Sequence, residues 1–323
     1  MLTRREVLIG AGVGAAAALA GSVETAFATA PQPKTPVNFD VPKEACDCHT
    51  HIFGDAKKFP FASGRTYTPE SASVEEMRQL HRALHTDRVV VVQPSVYGTD
   101  NSCTLDTIRQ LGPVARGVAV IDEKFTTADL DDMHRHGVRG IRINLETAGQ
   151  ADPAVAKQRF REAIEQIATR KDWHIQIYTR PTVIVAIADD LASSPVPVSF
   201  DHFGGAQADL GVGQPGFGAL VNLVKTGKAY VKVSAPYRSS KLAPDYPDIV
   251  PFAKALIGAN PQRILWASDW PHPQQIAGLG VDQISPPYAV DDGLLFNHFA
   301  EWVPDAARRR TILLDNPATL YGF

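Results

Sequence analysis

Apolar residues along the chain fall into two alternating textures. Short, nearly continuous apolar runs occur at 44–49 (EACDCH), 88–94 (RVVVVQP), 116–121 (RGVAVI), 138–144 (VRGIRIN), 173–178 (WHIQIY), 196–202 (VPVSFDH), 229–235 (AYVKVSA) and 263–268 (RILWAS). Between them lie segments whose apolar residues return at i, i+3 and i+4, among them 74–84, 127–136, 155–170 and 217–227. The first texture predicts strands buried on both faces and the second predicts helices covering them. Gly137 stands where a helix C-terminal residue is expected, just before the next strand. Eight strands alternating with helices, spaced for right-handed crossovers, predict a single-domain α/β fold, a (β/α)8 TIM-like barrel. No glycine-rich dinucleotide fingerprint follows any strand, which argues against an open doubly wound sheet.

The first residues, MLTRREVLIGAGVGAAAALAG, join Arg4 and Arg5 to an apolar Gly/Ala-rich run too short for a membrane span. This predicts a Tat-type signal peptide over 1–30, a Pro-rich lead-in over 31–43 and the barrel over 44–323. It also predicts passage through the Tat export machinery to a periplasmic or secreted location, with cleavage near Thr29 and no stable membrane insertion afterwards. A formal charge of -3 gives no basic field for nucleic acid or anionic lipid. Cys46, Cys48 and Cys103 are too few for a disulfide framework and read as small buried hydrophobes.

In a barrel of this kind the reactive residues stand at the C-terminal ends of the strands. Those ends carry His49 and His51, Gln93 and Ser95, Arg142 and Asn144, Tyr178 and Arg180, Asp201 and His202, Tyr237 and Arg238, and Asp269. Alternation along an extended chain puts Asp47, His49 and His51 on one face and Cys46, Cys48 and Thr50 on the other. A carboxylate at the mouth suits Asp269 to take a proton from water. His49, His51 and His202 suit the role of donors to a carbonyl on which charge develops. Arg142 and Arg238 offer forks for a substrate carboxylate, and Tyr67, Ser95, Tyr178 and Tyr237 offer hydroxyls. Arg180 receives no role. By ligand type alone, His49, His51, His202 and Asp269 suffice for zinc.

His-x-His after the first strand, His202 after the sixth and Asp269 in SDWPHP (268–273) after the eighth resemble the amidohydrolase superfamily. DCHTHIFG (47–54), VVVQPSVYGTDN (90–101), GVRGIRINL (137–145), KVSAPYRSS (232–240) and RILWASDWPHP (263–273) resemble its branch containing 2-pyrone-4,6-dicarboxylate lactonase and sugar lactonases. The resemblance runs from about residue 44 to the C-terminal NPATLYGF. Metal-dependent members, it implies, add a histidine at strand five and, in binuclear sites, a lysine or glutamate at strand four. Here those ends offer Tyr178 and Arg142 with Asn144, and an arginine raises the cost of holding a divalent ion. His174 begins its strand, on the far side of the barrel.

The leading expectation is therefore a hydrolase that opens a small, carboxylated lactone by Asp-activated water attack, with no cofactor. A zinc or manganese amidohydrolase or decarboxylase using His49, His51, His202 and Asp269 is the alternative, and a lactone isomerase needs nearly the same groups. A periplasmic binding protein without turnover is the alternative of another class. Dicarboxylate lactonases of the branch, as the resemblance implies, place a further basic residue shortly after the strand-four arginine. LETAGQAD (145–152) contains none, which counts against a pyrone dicarboxylate as substrate.

Overall fold

The computed structural model describes residues 30–323. The segment expected to be an export signal lies outside them, apart from Ala30. Eight parallel strands form one sheet: β1 (Cys46–Thr50), β3 (Arg88–Val92), β4 (Ala115–Ala119), β5 (Val138–Asn144), β6 (His174–Tyr178), β7 (Val198–Phe200), β8 (Ala229–Ser234) and β9 (Ile264–Ala267), neighbours in that order. The sheet closes on itself where Thr50 bridges Trp270 in parallel, with His51 N–H donating to Trp270 O (2.8 Å) and Asp269 N–H to His49 O (2.9 Å). Two short strands, β2 (Thr68–Pro69) and β10 (Ile284–Ser285), pair separately. The chain is a single α/β domain whose sheet is a nearly closed eight-stranded barrel. Among the described residues no helix is long and apolar enough to cross a membrane.

Local chemistry explains where the crossover helices start. Ser73 and Glu76 form a capping box at α1 (Val74–Leu84), and Thr126 and Asp129 form another at α3 (Thr127–Arg135). Asp152 caps α4 (Pro153–Ile167), with Pro153 in the first turn where its missing N–H costs nothing. Gly137 has φ +96° between α3 and β5, as its place after a helix requires. The lead-in packs against the barrel: Ala30 N–H donates to Glu76 Oε1 (3.1 Å), Trp270 Nε1 to Pro31 O (2.7 Å), and Thr35 Oγ1 to Asp291 Oδ2 (2.7 Å).

Two packing layers result. Helices cover the outer face of the sheet, while Cys46, Cys48, Val90, Val92, Val118, Tyr230, Leu265 and Ala267 form a second cluster with Tyr321 from the C-terminal helix α11 (Asn316–Tyr321). His174 sits in this lower part, donating from Nδ1 to Arg139 O (2.7 Å) with its ring edge-on to Tyr321.

The simple alternation expected of β1 is corrected by a register shift. Asp47 pairs with Val89 and Thr50 with Val91, so Cys48 and His49 together oppose the single residue Val90. This is a β-bulge, which re-aims side chains on one side of the extra residue. Below it Cys46 and Cys48 point inward, while Asp47 points outward to Ser268 and to His81 of α1. Above it His49 and His51 point inward. Cysteines and histidines thus share the barrel interior at two different heights.

Candidate active site

The bulge and the turns after the sheet bring three imidazoles to one carboxylate. Asp269 Oδ1 lies 3.6 Å from His49 Nε2, 3.7 Å from His51 Nε2 and 3.5 Å from His202 Nε2, with all four side chains buried. Among the described residues Oδ1 has no hydrogen-bond partner, whereas Oδ2 accepts from Arg238 Nε (2.6 Å) and Tyr237 Oη (2.8 Å). Asp269 and His202 hold left-handed backbone conformations, φ +63° and +44°. Such conformations cost of order 1–3 kcal/mol each and persist only where the surroundings enforce them.

Behind this quartet lies a second charged layer. Asp201 Oδ2 accepts from Arg142 Nε (3.2 Å) and Nη2 (3.1 Å) and from Gln176 Nε2 (3.1 Å). Its Oδ1 lies 3.2 Å from both Lys232 Nζ and His49 Nδ1. Lys232, fully buried, also donates to Gln176 Oε1 (2.7 Å) and stands 3.1 Å from His49 Nδ1.

A backbone carbonyl fixes one of the imidazole protons. His51 Nδ1 faces the carbonyl of Val92 at 2.7 Å. A carbonyl only accepts, so Nδ1 carries the hydrogen and Nε2 presents a lone pair. His49 Nε2 stands 3.2 Å from that lone pair, and His49 Nδ1 stands between Lys232 Nζ (3.1 Å) and Asp201 Oδ1 (3.2 Å). Burial, with the Lys232 charge second, lowers His49 to about 3; burial likewise lowers His51 to about 3 and His202 well below its usual value. All three rings are neutral near pH 7. Burial works to raise Asp269, but the Arg238 guanidinium holds it below the ordinary carboxylate range, so it stays anionic.

A cavity of about 190 Å³ opens over the quartet, lined by His51, Tyr67, Ser95, Arg142, Tyr178, His202, Arg238 and Asp269. The sequence-predicted residues therefore converge, with two changes of place. His49, expected to face the carbonyl, is not in the cavity wall and stands one layer back, because its two ring nitrogens are engaged by His51 and by Lys232 with Asp201. Tyr237, expected to offer its hydroxyl to substrate, is also absent from the wall. Its hydroxyl donates to Asp269 and meets His272 Nδ1 (3.0 Å), whose Nε2 contacts Asp292 (3.0 Å). The arginines are ion-paired with carboxylates, yet each keeps Nη1 without a protein partner among the described residues. Lys232, Gln176 and Ser234 were missed. A lysine in the apolar run AYVKVSA, in phase with the inward Tyr230, was the available signal.

Tyr237→Phe distinguishes positioning from substrate contact. Removing the hydroxyl frees one side of Asp269 and leaves a buried His272 nitrogen unpaired. The expected result is a kcat loss of about tenfold with KM nearly unchanged, and a stability loss of about 1–3 kcal/mol in denaturant melts. A rise in KM alone assigns the hydroxyl to substrate.

The donor set also suits a cation. Four-coordinate zinc with metal–ligand distances of about 2.0–2.1 Å separates its ligands by roughly 3.3–3.4 Å, and the spacings here are 3.2–3.7 Å. His49, His51 and Asp269 meet as one ligand-grade cluster, and His49, His202 and Asp201 as another. His49, His51 and Asp269 would hold such an ion, with His202 Nε2 3.5 Å from the same carboxylate oxygen, and the ion would supply a Lewis acid for a carbonyl or an acidified water.

The profile of the family described as Amidohydrolase matches residues 46–323. The 4-sulfomuconolactone hydrolase of Rhizobium radiobacter is 34% identical over 287 residues, 89% of this chain and 93% of its own. The 2-pyrone-4,6-dicarboxylate hydrolase of Comamonas testosteroni is 33% identical over 292 residues, 88% and 92%. The crystal structure of a candidate 2-pyrone-4,6-dicarboxylic acid hydrolase from Pseudomonas putida superposes with a TM-score of 0.70 at 31% identity, over 87% of this chain and 98% of that one. With its His-x-His, its later histidine and its final aspartate gathered at one barrel mouth, this chain belongs to the amidohydrolase family.

Proposed function

We propose that this protein is a lactone hydrolase that opens the ring by water attack directed by Asp269. The observation that carries the reading is Asp269 Oδ1: an anionic oxygen without a hydrogen-bond partner among the described residues, at a cavity wall, held among neutral imidazoles. Relatives named as lactone hydrolases, matched over nine-tenths of their length, support the same chemistry.

In the proposed reaction Oδ1 accepts a proton from water as the water oxygen bonds to the lactone carbonyl carbon. The carbonyl oxygen gains charge, which the His202 Nε2–H stabilises. This assignment follows if Ser234 Oγ, 2.9 Å from Nδ1, donates to that nitrogen. Collapse of the adduct breaks the bond to the ring oxygen, which takes the proton back from Asp269. The product is a ring-opened hydroxy acid and the enzyme is unchanged. Arg142 and Arg238 orient an anionic group through their spare Nη1 atoms.

The reaction is read as needing no resident metal, on grounds of charge. Lys232, Arg142 and Arg238 surround Asp201 and Asp269, so the site already carries one surplus positive charge and repels a dication. Titration of released acid from a lactone panel, together with metal analysis, tests both halves. We expect acid release that survives chelation and dialysis, with metal well below one equivalent. Stoichiometric zinc or manganese whose removal abolishes turnover overturns the metal-free half, and no acid release from any lactone overturns the hydrolase.

The export reading rests on the Arg4-Arg5 start and its apolar run. It places the enzyme outside the cytoplasm, acting on a lactone met there.

A further inference from the structure

Glu146, a residue to which neither sequence nor mechanism assigns a role, lines the catalytic cavity. Its backbone N–H donates to Tyr178 O (3.2 Å), which ties it to the end of β6. Arg180 grips it through three hydrogen bonds, Nε to Oε1 (3.1 Å) and Oε2 (2.8 Å) and Nη2 to Oε1 (2.9 Å). On the other side of this pair lies an outer cavity of about 510 Å³, which shares Glu146, Tyr178, His202 and Arg238 with the catalytic one. The pair therefore forms part of the wall where the two spaces meet.

Counting charge around the joined cavities gives a definite answer. Arg142 is matched by Asp201, Arg238 by Asp269 and Arg180 by Glu146. Lys232, in contact with Asp201, adds a fourth cation, so among these directly contacting groups, with neutral imidazoles, one positive charge is left over, and the buried Asp292 lies farther out, behind Tyr237 and His272. One anionic group satisfies that balance, and it finds the spare guanidinium nitrogens of Arg142 and Arg238. A second anionic group finds no further unmatched cation in the wall: it meets the Glu146 carboxylate on one side and neutral groups such as Tyr67, Ser95 and Gln275 elsewhere. Glu146 accepts hydrogen bonds but donates none. Beside it, Asn144 and Thr147 satisfy each other, Asn144 Nδ2 to Thr147 Oγ1 (3.0 Å) and Thr147 N–H to Asn144 Oδ1 (3.0 Å).

We propose that the Glu146–Arg180 pair selects the substrate's charge: the site takes a lactone bearing a single carboxylate, with a neutral, hydroxyl-bearing arm against Glu146. This rests on the lactone-hydrolase reading and narrows it. Specificity here comes from a repulsive element, since like charges facing each other in a cleft cost more than a missing contact.

The test compares kcat/KM for 2-pyrone-6-carboxylate and 2-pyrone-4,6-dicarboxylate, two rings differing by one carboxylate, with an aldaric acid monolactone as a hydroxylated third probe. Wild type is expected to prefer the monoacid by about tenfold or more. E146Q releases Arg180 to meet the second carboxylate, so it gains on the diacid and the ratio falls. E146Q/R180A removes the released cation and loses that gain. Wild-type turnover of the diacid equal to the monoacid, or an unmoved ratio in E146Q, overturns the charge selection while the hydrolase stands. Failure to open any of the three probes overturns both.

Discussion

An Asp269→Asn enzyme keeps its fold and loses its turnover, with kcat down about a thousandfold or more and KM within a few-fold of wild type. The amide has the volume of the carboxylate, so its oxygen can take the side that Tyr237 and Arg238 donate to. Its NH2 then occupies the position of Oδ1, among the Nε2 atoms of His49, His51 and His202. No acceptor is left for the proton of the attacking water, and a hydrogen-bond donor stands where the base was. Part of the loss appears as stability, because the half-buried Arg238 is deprived of the charge that matches it. Circular dichroism and thermal melts establish that the fold persists, and steady-state kinetics on a lactone the wild type opens gives kcat and KM. A kcat within tenfold of wild type removes Asp269 from proton transfer and leaves the convergence of imidazoles without a catalytic purpose.

What the sequence made legible follows the reach of local signals. Apolar runs such as RVVVV and VRGIRIN are long and β-branched enough that β3 and β5 lie within the predicted ranges. The run 196–202 was too generous: β7 stops at Phe200, and Asp201 and His202 lie in a turn continued by Phe203 and Gly204 at positive φ. The rule that chemistry gathers at strand ends therefore found His202 despite the boundary error. Periodicity cannot show a bulge, since one extra residue in β1 leaves the composition of the run untouched while reversing which side Cys46 and Cys48 take. Nor can it show pairing between distant charges. Arg142 and Arg238 were read as open forks because their carboxylate partners lie 59 and 31 residues away. Glu146 and Arg180 were each visible and neither suggested the other until Tyr178 joined their backbones.

Acidification is expected to unfold the protein steeply between pH 6.5 and 4.5, and the cause is imidazole rather than carboxylate. Burial lowers His49, His51 and His174 to about 3, and His202 well below its ordinary value. In the unfolded chain each titrates near 6.5. Between those values the unfolded state binds more protons than the folded one, so stability rises with pH across the window and is lost as pH falls through it. Each ring contributes at most about 1.4 kcal/mol per pH unit, hence roughly 5 kcal/mol per unit for the four, against a typical domain stability of about 5–15 kcal/mol. Asp201 and Asp269, held below the ordinary range, add their loss only below about pH 4. Asp292, raised by burial, acts in the opposite sense as a single group. His174 separates this effect from the active site. It lies at the opposite end of the barrel, and its Nε2 is buried with no partner among the described residues, so a proton there adds an unpaired charge beside Tyr321. Denaturant melts from pH 8 to 4.5 should show a plateau above 7 and a steep fall below 6, and His174→Gln should flatten that fall by about a quarter, since one of four equal slopes is removed. A wild-type plateau that continues to pH 4.5 means that these rings accept protons inside the folded barrel. The neutral His51 lone pair then loses its basis.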